Sequence, residues 1–305
     1  MMTVRALIVG ATSTVGKYVV DQLAAGGLVE PIAGVRKPEQ ARMFAEQGVA
    51  TVDLDLDSAA SVKAAVTGID RIFLLTGYTV AMLPQSKLVI DYGKAAGATH
   101  IVHMGAWAPD DTDLPHFGWH QYVERYIEGS GLGWTHVAPH MFMQNMLGQG
   151  NLWKAFTDAS EGDRGHAGSR PIHSPIGDGR VGWVAAEDIA RVCVAALEDP
   201  SCHAGRKYDL SVDVKTVPEV VTLLEETLGR PFHAVMHSPE AFGEALLAGG
   251  MEPTYAACAT ENAGRFARDE VPGQDNVFPF EEIVGVPPVL WPAFIEAHRD
   301  AFIGH

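Results

Sequence analysis

Residues 4–16, which read VRALIVGATSTVG, decide the fold of this chain. Residues 4–9 form a short apolar run typical of a buried strand, and residues 15–25 have the pattern of a helix that ends at two glycines. Gly10 permits a sharp turn between the two elements, and Gly16 permits close packing of the helix against the strand. A strand, a glycine-containing turn and a helix in this order form the first unit of an α/β fold.

The same alternation continues through most of the first half of the chain. Apolar runs are separated by helical segments, which indicates a parallel sheet with helices on both faces. The predicted strands span residues 29–33, 49–54, 69–75, 100–104 and 134–137, and the predicted helices span 39–47, 58–67, 84–96 and 115–128.

The second half follows a different pattern. Residues 161–182 are rich in Gly, Pro and Ser and predict a long loop, and residues 264–292 predict an irregular tail. Helices are predicted at residues 187–197, from the capping box of Thr216 and Glu219 through Leu228, and from Ser238 onward. We therefore predict two domains, residues 1–140 with a return segment at 181–198, and mainly residues 141–305.

Composition restricts the class of protein. The chain has 305 residues, of which 47% are hydrophobic, so it can bury a sizeable core. Its 22 Lys and Arg against 38 Asp and Glu give a formal charge of −16, and a surface this negative disfavours nucleic acid and membranes as partners. Three cysteines without a C-x-x-C pair, and a start that leads into a strand rather than a signal peptide, predict a cytoplasmic protein.

The turn between the first strand and the first helix predicts a pyrophosphate site. Free N–H groups at a helix start and the positive end of the helix dipole attract a diphosphate. Ser13 stands where the G-x-x-G-x-x-G motif has its central glycine, and a serine hydroxyl also donates to phosphate. The alternative is an ordinary turn between a strand and a helix. The residues predicted to bind the dinucleotide are Gly10, Thr12, Ser13, Thr14, Val15 and Gly16.

The end of the second strand distinguishes between the two nicotinamide dinucleotides. An NAD enzyme usually has an acid there, which accepts from the ribose hydroxyls. Here residues 34–38 read GVRKP, with no acid, and the Arg36 guanidinium can form a bidentate pair with a 2′-phosphate. The alternative is a solvated pair of surface cations. We therefore predict NADP(H) as the cofactor.

Six motifs in sequence order carry a resemblance that runs from residue 4 to about residue 230. They are Gly10-Ala-Thr-x-x-x-Gly16, Val35-Arg36-x-Pro38, Asp55-Leu56, Ala95-Ala96-Gly97-x-x-His100-Ile101-Val102, Glu124-x-x-Ile127-x-x-Ser130-Gly131-Leu132-x-Trp134-Thr135 and Phe142-Met143-x-Asn145. Together they resemble the NmrA-like branch of the atypical short-chain dehydrogenases. The resemblance implies a Rossmann-type doubly wound parallel sheet that binds NADP, followed by a smaller C-terminal α/β substrate-binding lobe. It also implies that Asp55 and Leu56 lie near the adenine and that Thr76 and Gly77 pass the ribose.

The catalytic residues common in short-chain dehydrogenases are absent from the expected positions. Gly105 and Ala106 replace the serine, and the Tyr-x-x-x-Lys position reads His116-Phe-Gly-Trp-His120. Two histidines at this spacing lie on one helical face, near the positive end of its dipole, which disfavours the imidazolium. A neutral imidazole N–H can still donate a proton as hydride arrives. We predict His120 as the acid or orienting group and His116 as the second candidate; the alternative is that both are structural.

The same two histidines do not predict a metal site. A zinc-binding H-E-x-x-H motif has a glutamate directly after its first histidine, and here that position is Phe117. The sequence suggests no third ligand.

Four aromatic side chains are predicted to line a substrate pocket. An aromatic wall at the carboxyl edge of an open α/β sheet favours a small, flat or hydrophobic substrate. The alternative is that these side chains pack in the core. The four residues are Trp107, Trp119, His140 and Phe142.

These features predict an NADPH-dependent reductase that transfers hydride to an uncharged aromatic or conjugated carbonyl compound such as a quinone, enone or ketone. The second hypothesis is a redox sensor that binds NADP(H) without turnover, and the missing Ser-Tyr-Lys set favours it. A third hypothesis is an isomerase or lyase that uses its cofactor cyclically. Both a monomer and a homodimer are compatible with the sequence.

Overall fold

A computed structural model describes residues 3–147 and 169–303. Through residue 139 the elements alternate as predicted: β1 Val4–Ile8, α1 Thr14–Gly26, β2 Val29–Val35, α2 Pro38–Glu46, β3 Ala50–Asp53, α3 Ala59–Ala65, β4 Arg71–Leu74, α4 Met82–Ala96, β5 His100–Met104, α5 Pro115–Ser130 and β6 Gly133–Pro139. The later elements are β7 Met141–Phe142, a 3₁₀ turn Met143–Leu147, β8 Arg170–Ser174, β9 Val181–Val184, α6 Ala186–Glu198, α7 Pro200–His203, β10 Arg206–Leu210, β11 Asp213–Lys215, α8 Val217–Leu228, β12 Phe232–Met236, α9 Pro239–Ala248, α10 Pro253–Ala267, α11 Phe280–Val284, α12 Trp291–Ala297 and α13 Arg299–Ile303.

Seven strands form the main sheet, in the order β10-β6-β5-β4-β1-β2-β3. The pairings of β1 with β2 and β4, of β2 with β3, of β4 with β5 and of β5 with β6 are all parallel. At the β10 edge, the Gly205 N–H donates to Trp134 O (2.8 Å) and the His140 N–H donates to Leu210 O (3.0 Å), so β10 also runs parallel to β6. The predicted doubly wound parallel sheet is confirmed.

Apolar side chains on the central strands form the core of this sheet. Leu7 on β1, Ile72 on β4 and Ile101 on β5 are fully buried, and they belong to one cluster with Val89 and Ile127 of the covering helices α4 and α5. Strands buried on both faces are near-continuous apolar runs, which explains why residues 4–9 could be recognised as a strand.

Backbone contacts divide the chain into two compact units. Of the described residues, the first unit contains 3–112, 116–139 and 186–209, and the second contains 113–115, 140–147, 169–185 and 210–303. The returning segment is therefore 186–209, whereas the sequence predicted 181–198. The difference arises because β9 belongs to a separate sheet of the second unit, in the order β11-β9-β7.

Two predictions in the second half were wrong in part. Residues 170–174 of the predicted loop form β8, which pairs in parallel with β12; residues 161–168 of that loop lie outside the described residues. The predicted irregular tail contains the end of α10 and a short helix, α11. β8 reads RPIHS, which has no apolar run, so its strand conformation depends on a partner about sixty residues further along the chain.

None of the helices in the two described stretches combines the length and the apolar character that a membrane crossing requires.

Candidate active site

The turn after β1 has a geometry that only glycine allows at its two ends. Gly10 has φ +78°, and a Cβ there would lie 2.7 Å from the carbonyl oxygen of Leu75. A Cβ on Gly16 would lie 2.1 Å from the carbonyl oxygen of Gly10. Real Cβ atoms do not approach oxygen so closely, so the turn cannot carry a side chain at Gly10 or Gly16. The contact with Leu75 also shows that the loops after β1 and β4 touch.

Ser13 is the N-cap of α1. Its Oγ accepts from the Gly16 N–H (2.9 Å), and its carbonyl oxygen accepts from the Lys17 N–H (3.1 Å). The N–H groups of Thr14 and Val15, in the first turn, have no intrahelical acceptor by the geometry of a helix. The arrangement leaves two donors and the Ser13 hydroxyl proton at the positive end of the α1 dipole, where an anion binds favourably.

Two cations follow the carboxyl end of β2. Arg36 and Lys37 are exposed, and in the part of the chain that the structure describes neither forms an ion pair. Their backbone N–H groups both donate to Gln40 Oε1 (3.1 Å each), which fixes the entry into α2. Gln40 was not among the predicted site residues, although a Gln three residues after the N-cap of a helix is a capping signal.

The predicted adenine and ribose segments follow the next two strands. The Asp55 N–H donates to Ser61 Oγ (2.9 Å), and Asp55 Oδ1 accepts from the Asp57 N–H (3.1 Å), so the carboxylate is held against its own loop. Thr76 and Gly77 come directly after β4 and the Leu75 carbonyl. The carboxyl ends of parallel strands lie at one edge of a sheet, so these segments share an edge with the Gly10 turn.

His116 and His120 lie one turn apart on α5, with ring centroids 4.8 Å apart. Both are only 6% exposed. Burial lowers the pKa of His116 to about 4 and holds the pKa of His120 well below its ordinary value, so both rings are neutral at pH 7. A Cβ on Gly105, just after β5, would lie 3.6 Å from His120 Nδ1, so that nitrogen is at the carboxyl end of β5.

The structure adds three buried titratable residues around His120 and its neighbour His103, and none of the three was among the predicted site residues. His103 on β5 has its ring centroid 5.6 Å from His120, and the His136 ring on β6 is 5.4 Å from His103. Glu124 on α5 is 2% exposed, and its Oε2 lies 3.0 Å from Lys207 Nζ. Burial raises the pKa of the Glu124 carboxyl, whereas Lys207 opposes the rise. His116, His120 and Glu124 follow at intervals of four residues, and this spacing could have predicted from the sequence that Glu124 lies on the same face of α5 as the two histidines.

The four predicted pocket residues have different surroundings. Trp119 is 8% exposed and belongs to the core cluster with Ile90 and Val123, the surroundings expected of the core alternative, and its place in a substrate pocket stays a prediction. Its ring occupies the apolar face of α5. Trp107 is half-buried in the first unit, and its backbone N–H donates to Pro139 O (3.1 Å).

His140 and Phe142 are half-buried residues of the second unit. His140 Nδ1 lies 3.4 Å from Gln274 Oε1, which also accepts from the Gly182 N–H (2.8 Å). Burial lowers the pKa of His140 to about 4, although Gln274 acts in the opposite direction. That Trp107, His140 and Phe142 line one pocket stays a prediction.

In residues 3–147 and 169–303, no group of three or more His, Cys, Asp or Glu side chains is arranged to hold a metal ion.

Comparison with known proteins agrees with the motifs quoted from the sequence. The model of the NmrA-like family matches residues 2–269. An NAD(P)H azoreductase of Xenophilus azovorans is 30% identical over 298 residues, which span 97% of this chain and 98% of that protein. A (4-alkanoyl-5-oxo-2,5-dihydrofuran-3-yl)methyl phosphate reductase of Streptomyces griseus subsp. griseus is 30% identical over 305 residues, spanning 97% of this chain and 98% of that protein.

The fold is similar to that of a solved reductase. The structure of an NADPH-dependent quinone oxidoreductase of Escherichia coli, complexed with NADPH, has a TM-score of 0.75 and 21% identity, and the match covers 96% of this chain and 99% of that one.

Proposed function

The chain belongs to the NmrA-like family, and we propose that it is an NADPH-dependent reductase that transfers hydride to an uncharged aromatic or conjugated carbonyl compound. The observation that carries the proposal is the match, over 97% of the chain, to a relative named as an NAD(P)H azoreductase. A second relative of equal identity is named a (4-alkanoyl-5-oxo-2,5-dihydrofuran-3-yl)methyl phosphate reductase. Both names describe reduction of a small molecule, which agrees with the hypothesis that the sequence favoured.

The bare turn after β1 fits a dinucleotide phosphate. The Thr14 and Val15 amides would hold the diphosphate, because no intrahelical acceptor uses them. Arg36, exposed and without an ion pair in the described residues, would bind the 2′-phosphate that distinguishes NADPH from NADH. When bound, NADPH supplies two electrons and one hydrogen as hydride.

His120 supplies the proton in this proposal. A neutral imidazole carries one N–H and can release it to the oxygen on which negative charge develops. Burial keeps the His120 ring neutral, and its Nδ1 lies beside Gly105 at the carboxyl end of β5. His116, one turn nearer the start of α5, is the second candidate for direct contact with the acceptor.

Steady-state turnover tests the function and separates it from the sensor alternative. NADPH absorbance is followed with a panel of quinones, enones, aromatic ketones and azo dyes, for the wild type and His120→Ala. We expect turnover on part of the panel and a loss of about 100-fold in kcat for His120→Ala, the range typical of a general acid. His100→Gln is the control, because His100, which lies on β5, is buried like His120 but hydrogen-bonds Thr135 Oγ1 (3.1 Å). Tight NADPH binding with no turnover on the whole panel would support the sensor.

A further inference from the structure

Four buried histidines of the first unit form a continuous row of neighbouring rings, which we call the histidine file. In order they are His116, His120, His103 and His136. The ring centroids of His116 and His120 are 4.8 Å apart, those of His120 and His103 are 5.6 Å apart, and those of His103 and His136 are 5.4 Å apart. Each side chain is 6% exposed or less. A single buried histidine is an ordinary core residue, whereas four buried histidine rings that are neighbours in space need an explanation.

The fold aligns these rings through two independent periodicities. On α5, His116, His120, Glu124 and Glu128 follow at intervals of four residues, so they form one titratable stripe. On the sheet, His103 of β5 is paired in register with His136 of β6, which places both side chains on the same face. The stripe and the strand pair meet where His120 contacts His103.

The two ends of the file have different surroundings. At one end, the His116 ring is 5.9 Å from the ring of Tyr78, which follows Thr76 and Gly77 after β4. At the other end, His136 Nε2 lies 3.6 Å from Glu128 Oε1, and the Glu128 side chain is 26% exposed. The file therefore connects the segment predicted to pass the cofactor ribose with a carboxylate that reaches solvent.

The groups facing the middle of the file are also titratable. A Cβ on Gly105 would lie 3.3 Å from His103 Cε1, 3.5 Å from Glu124 Oε1 and 3.6 Å from His120 Nδ1, so these three side chains surround one point. Lys207 of β10 pairs with Glu124, and its side chain is 30% exposed. In the described part of the chain, the Nδ1 atoms of His103 and His120 and both ring nitrogens of His136 have no protein hydrogen-bond partner, and the 3.6 Å between His136 Nε2 and Glu128 Oε1 is longer than a hydrogen bond.

The rings are in the protonation state that a relay requires. Burial lowers the pKa of His136 to about 3 and of His116 to about 4, and it holds the pKa values of His103 and His120 well below the ordinary value. Each neutral imidazole has one N–H and one lone pair, so it can accept a proton at one nitrogen while it releases the proton on the other.

From this geometry we infer that the histidine file conducts protons from Glu128 at the surface through His136 and His103 to His120. The inference rests on the proposed reductase activity. Reduction of a carbonyl acceptor by NADPH consumes one solvent proton: hydride brings two electrons to the acceptor carbon, His120 releases its N–H proton to the oxygen, and His120 takes a replacement proton from His103. His136 restores His103, and Glu128, which takes its proton from solvent, restores His136. Each ring gains a proton on one nitrogen and loses one from the other, so every ring ends in the opposite tautomer, and ring rotation returns it to the starting tautomer before the next turnover.

Proton exchange in nucleotide-free protein tests the file without any turnover. With ¹⁵N-labelled histidine, NMR measures the rate at which the His120 ring N–H exchanges with water. We expect exchange to be at least about tenfold slower in His136→Phe, because the apolar ring breaks the file while still stacking on Trp134, whose centroid is 4.5 Å from that of His136. Glu128→Gln, at a partly exposed position that tolerates substitution, is a second variant with the same expected direction.

His100→Gln is the matched control, because His100 lies on the opposite face of β5 from His103. In His100→Gln, the His120 ring N–H should exchange with water at the wild-type rate. Exchange within twofold of the wild-type rate in both His136→Phe and Glu128→Gln would overturn the inference, and so would equal slowing in His100→Gln.

Turnover gives a second readout on the loaded enzyme. In His136→Phe we expect a lower kcat, a larger solvent deuterium isotope effect on kcat, and an unchanged KM for NADPH, since the cofactor-binding residues are intact. A chain that exchanges protons as predicted but reduces nothing on the substrate panel would contradict the proposed function and leave the proton file supported. A KM that rises together with the fall in kcat, at an unchanged isotope effect, would overturn the relay role.

Discussion

Among single residues, Arg36 is the side chain whose removal distinguishes the two dinucleotides. Arg36→Ala should weaken NADPH binding by about 10- to 100-fold, the value of a charge-assisted hydrogen bond, and leave NADH binding nearly unchanged. Isothermal titration with both nucleotides measures the difference. Arg42→Ala is the matched control, because Arg42 is an exposed arginine of α2 and its loss removes the same charge. An equal loss of affinity for both nucleotides in Arg36→Ala would refute recognition of the 2′-phosphate.

Gly10 and Gly27 allow backbone strain to be separated from steric contact. Both have positive φ, +78° and +70°, but a Cβ on Gly27 meets nothing within 4 Å, whereas one on Gly10 would be 2.7 Å from Leu75 O. Gly27→Ala should therefore lower the free energy of unfolding by about 1 kcal/mol, the cost of the left-handed conformation. Gly10→Ala should cost about 3 kcal/mol, because overpacking is added. Urea unfolding measures both, and equal costs would mean that the loop after β4 moves away freely.

At the scale of elements, the buried histidines of α5, β5 and β6 make the free energy of unfolding depend on pH. Burial lowers the pKa of His136 to about 3 and those of His100 and His116 to about 4, from an ordinary value of 6.5. A group whose folded pKa is depressed stabilises fully above its unfolded pKa, and that stability is lost as the pH falls towards the folded pKa. The free energy of unfolding should therefore decrease from pH 6.5 to pH 4, by up to about 1.4 kcal/mol per pH unit for each histidine.

His136→Gln isolates one of these contributions. Gln does not titrate, so the slope of unfolding free energy against pH between 6 and 4.5 should be smaller by about 1 kcal/mol per pH unit than in the wild type. Denaturant unfolding over a pH series measures the slope. Parallel curves for the two proteins would show that His136 is protonated in the folded state at these pH values.

Elements were predictable where local pattern and tertiary role agree. β1 and β5 are short buried runs, and the Thr216 capping box begins α8 as predicted, because N–H satisfaction at a helix start is a local matter. β8 and β10 were missed because their conformation depends on distant partners. The same reason explains the site: the Gly10 turn is encoded in seven consecutive residues, whereas the His103–His136 pair depends on the register of two strands.

On the scale of the whole chain, the main sheet is completed by β10. This strand belongs to the first unit but follows residues of the second unit in the sequence. β10 pairs with β6 at the sheet edge, although about seventy residues separate them in sequence. Thr135 Oγ1 donates to His203 O (2.9 Å), which also ties the returning segment to β6. The return could be predicted from the sequence but its extent could not, because strand pairing, and not local composition, determines where the segment joins the sheet.

The pair of Glu124 and Lys207 tests how much this return contributes to stability. Glu124 is 2% exposed, and removing one partner of a fully buried ion pair costs about 3–5 kcal/mol. Lys207→Met should cost less, about 2 kcal/mol at pH 8, because Lys207 is 30% exposed. Burial already raises the pKa of Glu124, and losing Lys207 raises it further. The stability deficit of the variant should therefore grow as the pH rises above the range where Glu124 ionises in the folded wild type, because there Glu124 stays protonated only in the folded variant. Urea unfolding at pH 5 and pH 8 measures the deficit.

The double variant Glu124→Gln/Lys207→Met should recover most of the loss. Lys87→Met, whose partner Asp91 is 42% exposed, should cost less than about 1 kcal/mol. A deficit independent of pH would mean that Lys207 acts through its aliphatic stem and not through its charge.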